Sequence, residues 1–380
     1  MTYSDTSPDI IVVGCGLSGV VIAEQIATKL KRKVIILEKR NHIGGNCYDY
    51  VDKETGIRVN KYGAHLFHTN NKDVWEYINK FDEWVKWEHK VVSLVDDKYV
   101  PIPVNIDTIN KVCGESIKNT YEANNWLYVN QIKYDKITNS EEMAKSRIGE
   151  LLYNKMIKDY TYKQWNKYPY ELDKSVLSRI PVRCDFDDRY FSDTYQALPK
   201  NGYTNFFQKI LDNPLIEVRL NTDFFESEFY TVKNNNVIIY TGPIDLYFSN
   251  KGLPSLEYRG IEFHTERFDL KNRDAYIQCN SVINFPNNNI PYTRSIEYKH
   301  FLNQKSNKTI VVSETTNDNG EPYYPVPNET NIKLYDKYKK LAECEKNIYF
   351  VGRLANYKYF NMDQAIENAL TFFNNNSEKF

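Results

Sequence analysis

No C-x-x-C pair occurs among the six cysteines (Cys15, Cys47, Cys113, Cys184, Cys279 and Cys344), which rules against a zinc knuckle or a dithiol motif and implies no disulfide framework. Charge of one sign is also missing. Lys and Arg number 49 against 50 Asp and Glu, the net charge is −1, and the two signs are mixed along the chain. No polybasic face therefore marks nucleic acid or an anionic membrane as a partner. No apolar run reaches membrane-spanning length, and the opening MTYSDTSPD has neither a basic stretch nor an apolar core of its own. A soluble, cytoplasmic protein without membrane insertion is the expectation, and Asn-x-Ser/Thr triplets such as Asn328-Glu329-Thr330 then carry no glycosylation meaning. Neither an internal repeat nor a long low-complexity linker is visible. At 380 residues the chain exceeds one ordinary core, so two or three interleaved units are expected. A homo-oligomer is compatible with this composition.

What is present begins at Asp9. Ile10 to Val13 reads as a buried parallel strand, and Gly14, Gly16 and Gly19 follow as G-x-G-x-x-G. Val20 to Leu30 reads as a helix, Lys33 to Leu37 as a second strand, and Glu38 closes that strand. Strand, tight turn, helix, strand and acid together make the dinucleotide fingerprint. The first glycine permits the turn, the second admits a pyrophosphate to the backbone, and the third lets helix pack on strand. Ser18 stands at the start of the helix and Cys15 inside the turn, where it reads as a packing residue. Glu38 would accept a ribose hydroxyl and repel a 2′-phosphate, which disfavours NADP. Gly44-Gly45-Asn46 is a second small-residue segment that a simple NAD domain does not need. It favours FAD, whose pyrophosphate and ribityl chain require small residues beneath them.

His65 and His68 lie three residues apart. With no carboxylate or third histidine nearby, a Gly-Ala-His turn beside a cofactor is a better reading than a metal site. Lys72 to Phe81 reads as a helix, and Lys90 to Val104 as a hairpin about Asp96-Asp97. Ile106 to Trp165 has a largely helical pattern, clearest over Ile148 to Tyr160, where Ile148, Leu151, Leu152, Met156, Ile157 and Tyr160 form one stripe. That stripe runs into YTYKQWNKYPYEL, an aromatic cluster that is either core or, with Lys163, Gln164 and Arg179 close by, a stacking and anion-binding cleft. Arg179 to Pro199 looks loop-like, and Thr204 to Leu211 helical. Ile216 to Leu220 and Asn236 to Thr241 read as strands returning to the dinucleotide unit. Ile261 to Phe268, Ala275 to Phe285 and Ile310 to Ser313 read as strands of a second, mostly antiparallel sheet. Helices over Asn331 to Cys344 and Met362 to Phe373 flank a buried strand at Asn347 to Gly352.

GCGLSGVV, EKRNHIGGNCYDY, YGAHLFHT, YTYKQW, LPKNGYTNFF, YTGPIDLYF, PYTRSIEYKHF, EPYYPVP and FVGRLANYKYFNMDQAI occur in that order, and over nearly its whole length the chain resembles the bacterial UDP-galactopyranose mutase family. The resemblance implies an α/β fold: a Rossmann-like FAD-binding domain from residues 1–84, 203–250 and 340–380, an inserted helical domain at 105–180, and an antiparallel sheet domain from the hairpin 85–104 and residues 251–339, connected through 181–202. It implies isomerisation of UDP-galactopyranose to UDP-galactofuranose. The flavin works when reduced; its N5 attacks the anomeric carbon, UDP leaves, the adduct opens to an iminium, and the ring recloses through O4. NADPH or NADH is the implied reductant, bound transiently because no second dinucleotide fingerprint exists.

Carried over by motif, Arg179 and Arg294 would bind the pyrophosphate, with Tyr160, Tyr190, Tyr323 or Tyr324, and Tyr359 donating hydroxyls. Thr161 lies in the same motif, Trp165 would pack near the galactose, and Asn284 would contact uracil or ribose. His65 or His68 would lend the flavin a hydrogen bond. Lys39 and Asn46 belong to the cofactor segment, Arg353 would contact the flavin, and Met362 and Asp363 would open a helix facing its N1–O2 edge. Two positions depart from the family. Asn361 replaces a common Asp, which would alter substrate affinity, and Ala64 replaces a frequent Pro in the histidine turn. Two other readings use part of this pattern: an FAD-dependent oxidoreductase, which needs neither YTYKQW nor paired arginines, and a UDP-sugar binding protein without turnover.

Overall fold

A computed structural model describes residues 10–178 and 180–380. Among these the strands form four sheets. The first is parallel, in the order β10 (Ile216–Arg219), β2 (Val34–Leu37), β1 (Ile10–Val13), β11 (Val237–Tyr240), β17 (Ile348–Phe350). Alternate side chains of its strands enter separate cores. Ile10, Val12, Val34 and Ile239 pack with helices α1 (Leu17–Gln25), α8 (Tyr203–Leu211) and α12 (Met362–Asn376). Ile11, Leu37, Ile238 and Ile348 face the opposite side, toward α11 (Glu329–Cys344). Burial on both faces explains why these strands read as unbroken apolar runs.

The second sheet has seven strands, in the order β16 (Tyr324–Pro325), β12 (Tyr258–Asp269), β15 (Lys308–Asn317), β14 (Arg294–Glu297), β13 (Val282–Asn284), β7 (Val91–Val95), β8 (Lys98–Ile102). Most pairs are antiparallel, but β13 runs parallel to β7, with Ile283 opposite Val92. The sheet expected as antiparallel is therefore mixed at the one seam where chain segments far apart in sequence meet. The hairpin β7–β8 turns on Asp96 and Asp97 at φ +46° and +60°, the geometry of a two-residue turn that follows strand twist. The strand expected over Ala275 to Phe285 shrinks to Val282–Asn284. Upstream, the N–H groups of Ile277 and Gln278 donate to the buried Glu297 carboxylate, at 3.1 and 2.7 Å, and so are not available to a ladder.

The helical part comprises α3 (Ile106–Cys113), α4 (Thr120–Asn130), α5 (Ser140–Leu152), α6 (Asp159–Trp165) and the short α7 (Ser175–Ser178). The helix expected as one run from Ile148 to Tyr160 is interrupted. Gly149 has φ +78°, with Asn130 O so close that a Cβ would lie 2.5 Å from it, and Tyr153–Lys158 forms a wider π-helical turn. Leu151, expected in the apolar stripe, is 47% exposed as a result. The segment expected as loop from Arg179 to Pro199 ends in β9 (Tyr195–Pro199), which pairs with β5 (Phe67–Thr69) and β6 (Trp84–Lys86). A small pair, β3 (Asp49–Val51) and β4 (Arg58–Asn60), and the helices α2 (Lys72–Ile78), α9 (Glu228–Thr231) and α10 (Ile244–Tyr247) complete the fold. No helix among the described residues is long and apolar enough to cross a membrane.

Candidate active site

A cleft of about 850 Å³ runs from the carboxyl ends of the parallel strands toward Trp165 and Arg353. Its floor is the glycine turn. Gly14 has φ +105°, and a Cβ there would lie 2.3 Å from Thr241 Oγ1; one on Gly19 would lie 2.0 Å from Gly14 O. The second glycine segment packs on the first, because Gly44 N donates to Cys15 O at 2.9 Å and a Cβ on Gly45 would come within 2.9 Å of Gly16 Cα. The buried Glu38 carboxylate accepts the N–H groups of Cys15 and Arg40, each at 2.9 Å. Two such bonds leave acceptor capacity over for a ribose hydroxyl. Gly16, Ser18, Lys39, Asn46, His65, Arg353, Asn361 and Met362 also line the cleft. Small residues at the helix start, an acid at one end and an open path to Arg353 fit an extended dinucleotide. Gly19 and Ala64 do not line the cleft. Ala64 packs against the core of the second sheet, and Asp363 Oδ1 is buried with no hydrogen-bond partner among the described residues.

Beyond the Trp165 and Arg353 end of the cleft lies an annex of side chains that do not themselves line it. Arg294, on β14, faces Glu314 across the β14–β15 ladder and Asn284 across β13–β14. Its Nε and Nη2 donate to the Glu314 carboxylate at 2.7 and 3.2 Å. Burial works against the guanidinium charge, but Glu314, Tyr160 and Tyr324 outweigh it and hold the group charged. Burial pushes the Tyr324 phenol up to about 12 and that of Tyr160 well above its ordinary value, so both remain hydroxyl donors. Tyr324 stacks on Tyr359 at 5.2 Å, and Trp165 lies 6.3 Å from each. Arg353 covers the faces of Tyr324 and Tyr359 at 5.6 and 5.4 Å and donates to the carbonyls of Tyr323 and Phe360. Thr161 is buried on α6 beside Tyr160, and Asn284 is buried at the end of β13.

His65 joins the two ends. Burial lowers its imidazole to about 4, and the charges of Arg353 and Arg294 add to the shift, so it is neutral at ordinary pH. Nδ1 lies 2.8 Å from the Gly63 carbonyl, which accepts its N–H and leaves Nε2 as an acceptor. His68 does not share this position. Its Nδ1 pairs with Asp193 at 2.9 Å and its ring stacks on Phe191 at 3.7 Å, so it fixes the loop that carries Tyr190. Arg179 lies outside the described residues.

Several contributors escaped the sequence reading. Glu314, one residue beyond the strand expected at Ile310 to Ser313, is 1% exposed and lies opposite Arg294. His89 is buried at 2%, and burial together with the charges of Arg294 and His68 takes it down to about 3. Three cations hold loops by their backbone carbonyls. Arg147 donates to Leu177, Ser178 and Ile180, Arg183 to Arg189 and Phe191, and Lys163 to four carbonyls between residues 285 and 292. Arg147 and Lys163 reach loops far away in sequence and Arg183 one only a few residues on, and Lys163, expected as part of an anion-binding cleft, binds carbonyls instead.

The fold and cleft define a dinucleotide-binding α/β protein with an arginine- and tyrosine-lined annex. Residues 12–81 match the profile of NAD(P)-binding Rossmann-like domains, and residues 155–359 that of UDP-galactopyranose mutase. The chain is 37% identical to a probable UDP-galactopyranose mutase of Klebsiella pneumoniae, covering 95% of this chain and 93% of that protein. It is 36% identical to a dTDP-fucopyranose mutase of Escherichia coli, covering 97% and 99%. A crystal structure of reduced UDP-galactopyranose mutase superposes with a TM-score of 0.76 over 98% of this chain and 96% of that one, at 15% identity. The chain belongs to the UDP-galactopyranose mutase family.

Proposed function

We propose that the chain is an FAD-dependent isomerase interconverting UDP-galactopyranose and UDP-galactofuranose. The observation that carries this reading is Arg294, a guanidinium held charged by Glu314 among Tyr160 and Tyr324 in the annex next to the dinucleotide cleft, close enough for its charge to act on the cleft residue His65. A departing pyrophosphate calls for a permanent, planar cation, and the phenols add neutral donors that anchor UDP without excess charge. Arg179 is the expected second guanidinium. Trp165 offers a flat face to the sugar, and Tyr323, Tyr359 and Tyr190 extend the donor set. When bound and reduced, by NADPH or NADH, FAD would supply nucleophilic chemistry toward the anomeric carbon. The neutral Nε2 of His65 accepts a hydrogen bond from the cofactor side. Helix α12, whose Asn361 N–H donates to Gln364 Oε1 at 2.9 Å, turns its positive end toward the cleft and favours negative charge there.

The test is conversion of UDP-galactofuranose by the purified protein, followed by chromatography with and without dithionite. Conversion only in the reduced sample supports the reading; a yellow protein that binds UDP and converts nothing in either sample overturns it. The similarity to a dTDP-fucopyranose mutase favours a second reading, a thymidine nucleotide bearing a 6-deoxy sugar. A pocket that hydrogen-bonds the 6-hydroxyl rejects the deoxy sugar by roughly 10⁴-fold, whereas an apolar pocket discriminates by about 10–200-fold. Parallel kcat/KM values for the two furanoses decide between them.

A further inference from the structure

Lys163 extends from α6 into the turn joining β13 to β14. Its Nζ donates to the carbonyls of Asn287, Ile290 and Tyr292 at 2.9, 3.0 and 3.0 Å, and to that of Phe285. The turn, FPNNNIPY, contains two prolines that offer no N–H and no acidic residue that could take the ammonium instead. Within it, Ile290 N reaches Asn287 O at a long 3.3 Å, and Phe285 N closes its base on Thr293 O at 2.9 Å. Four carbonyls thus converge on the Lys163 ammonium. The feet of this turn are Asn284 and Arg294, directly opposite in register. The helix at the other end is fixed as well, since Thr316 Oγ1 donates to Lys163 O and Arg259 Nε to Gln164 O at 3.1 Å. The same helix carries Tyr160 and Trp165.

We propose that Lys163 is a positioning residue for the mutase reaction: by gathering the carbonyls of turn 285–292 it sets Arg294 and Asn284 against Tyr160 and Trp165 without touching substrate. This rests on the reading of Arg294 as the pyrophosphate partner. The ammonium has three N–H donors for four carbonyl oxygens, so at least one donor is shared between two carbonyls. Carbonyls arranged around one point also replace the hydration shell of a potassium or ammonium ion. Removing the side chain therefore leaves a cradle that a small monovalent cation fills.

The test uses Lys163→Ala holoenzyme. The expected result is a KM for UDP-galactofuranose and a Kd for UDP each raised about tenfold, with kcat within about threefold and flavin content unchanged, the pattern of lost binding geometry. Ammonium or potassium chloride restores much of the loss; tetramethylammonium chloride at the same ionic strength does not. A folded Lys163→Ala with unchanged KM and UDP affinity overturns the proposal, as does a loss that no small cation relieves. Should the variant not fold, amide hydrogen exchange on the wild-type holoenzyme decides. Residues 285–294 are protected before UDP is added if the turn is preset, and exchange at solvent rates without UDP overturns the proposal. A wild-type protein that neither binds UDP nor isomerises it refutes the functional reading alone, because the exchange result still reports on Lys163.

Discussion

At the dinucleotide end of the cleft the walls are backbone: Gly14, Gly16 and Gly45 bring main chain onto main chain, and Glu38 is held by two N–H groups within two residues of the turn or strand end. In the annex, where we propose that the substrate binds, the groups are side chains. Arg294, Tyr160, Tyr324 and Tyr359 come from four separate segments and are aligned by buried pairs and by cations that grip loops. The first design tolerates no added atom, and the second tolerates no lost charge. A site for a resident group can be moulded from fixed elements, whereas a site for a substrate that must leave depends on adjustable contacts.

That contrast is broken first by Gly14→Ala. With φ +105° and Thr241 Oγ1 2.3 Å from the new Cβ, the turn cannot persist, and the purified protein is expected to lack flavin absorbance altogether. Arg294→Lys should instead retain the flavin and lose about 10²–10³-fold in kcat/KM, because a point charge cannot reproduce the two-point donation. Glu314→Gln leaves a guanidinium without its carboxylate and should cost about 3 kcal/mol in denaturant unfolding, with the flavin again retained.

Acid sharpens the contrast further. The folded state keeps His89 neutral down to about 3 and His65 down to about 4, below the unfolded value near 6.5. The unfolded chain therefore binds protons first, so this stability is fully present above pH 6.5 and is lost as pH falls toward 4 and 3. At pH 4.5 His89 accounts for about 2–3 kcal/mol of the loss, and His89→Gln should flatten that part of the stability profile. The smallest effect belongs to the rim, where Glu321 pairs with Arg40 at 2.5 Å and Lys39 at 3.5 Å over the cleft mouth. Glu321→Gln should change stability by no more than about 1 kcal/mol, less in high salt.

The same contrast governs what could be read from the chain. The turn from Val13 to Gly19, the acid at Glu38 and the second glycine pair act through neighbours in sequence, so spacing alone revealed them. Arg294 and the tyrosines were reached by resemblance to a family, because nothing in their local pattern distinguishes them from surface residues. Glu314 was missed, and Lys163 was read as an anion-binding candidate where it in fact grips carbonyls, since each works through a partner brought near by sheet register or a distant turn. The strand expected at Ala275 failed for a related reason: Glu297, some twenty residues away, captures the amides that a ladder would have used.

The parallel sheet also has a history. Its central strand β1 is made almost at once, yet its neighbour β11 and the edge strand β17 beyond it are more than two hundred and three hundred residues downstream. Until residue 350 has left the ribosome, β11 has no outer partner, and until α12 follows, Val20 and its neighbours on α1 lack their cover. The cleft itself is complete only once the start of α12 has been made, since Asn361, Met362 and Ala365 line it. A nascent chain of this length holds exposed strand edges meanwhile, which makes it a natural client for chaperones.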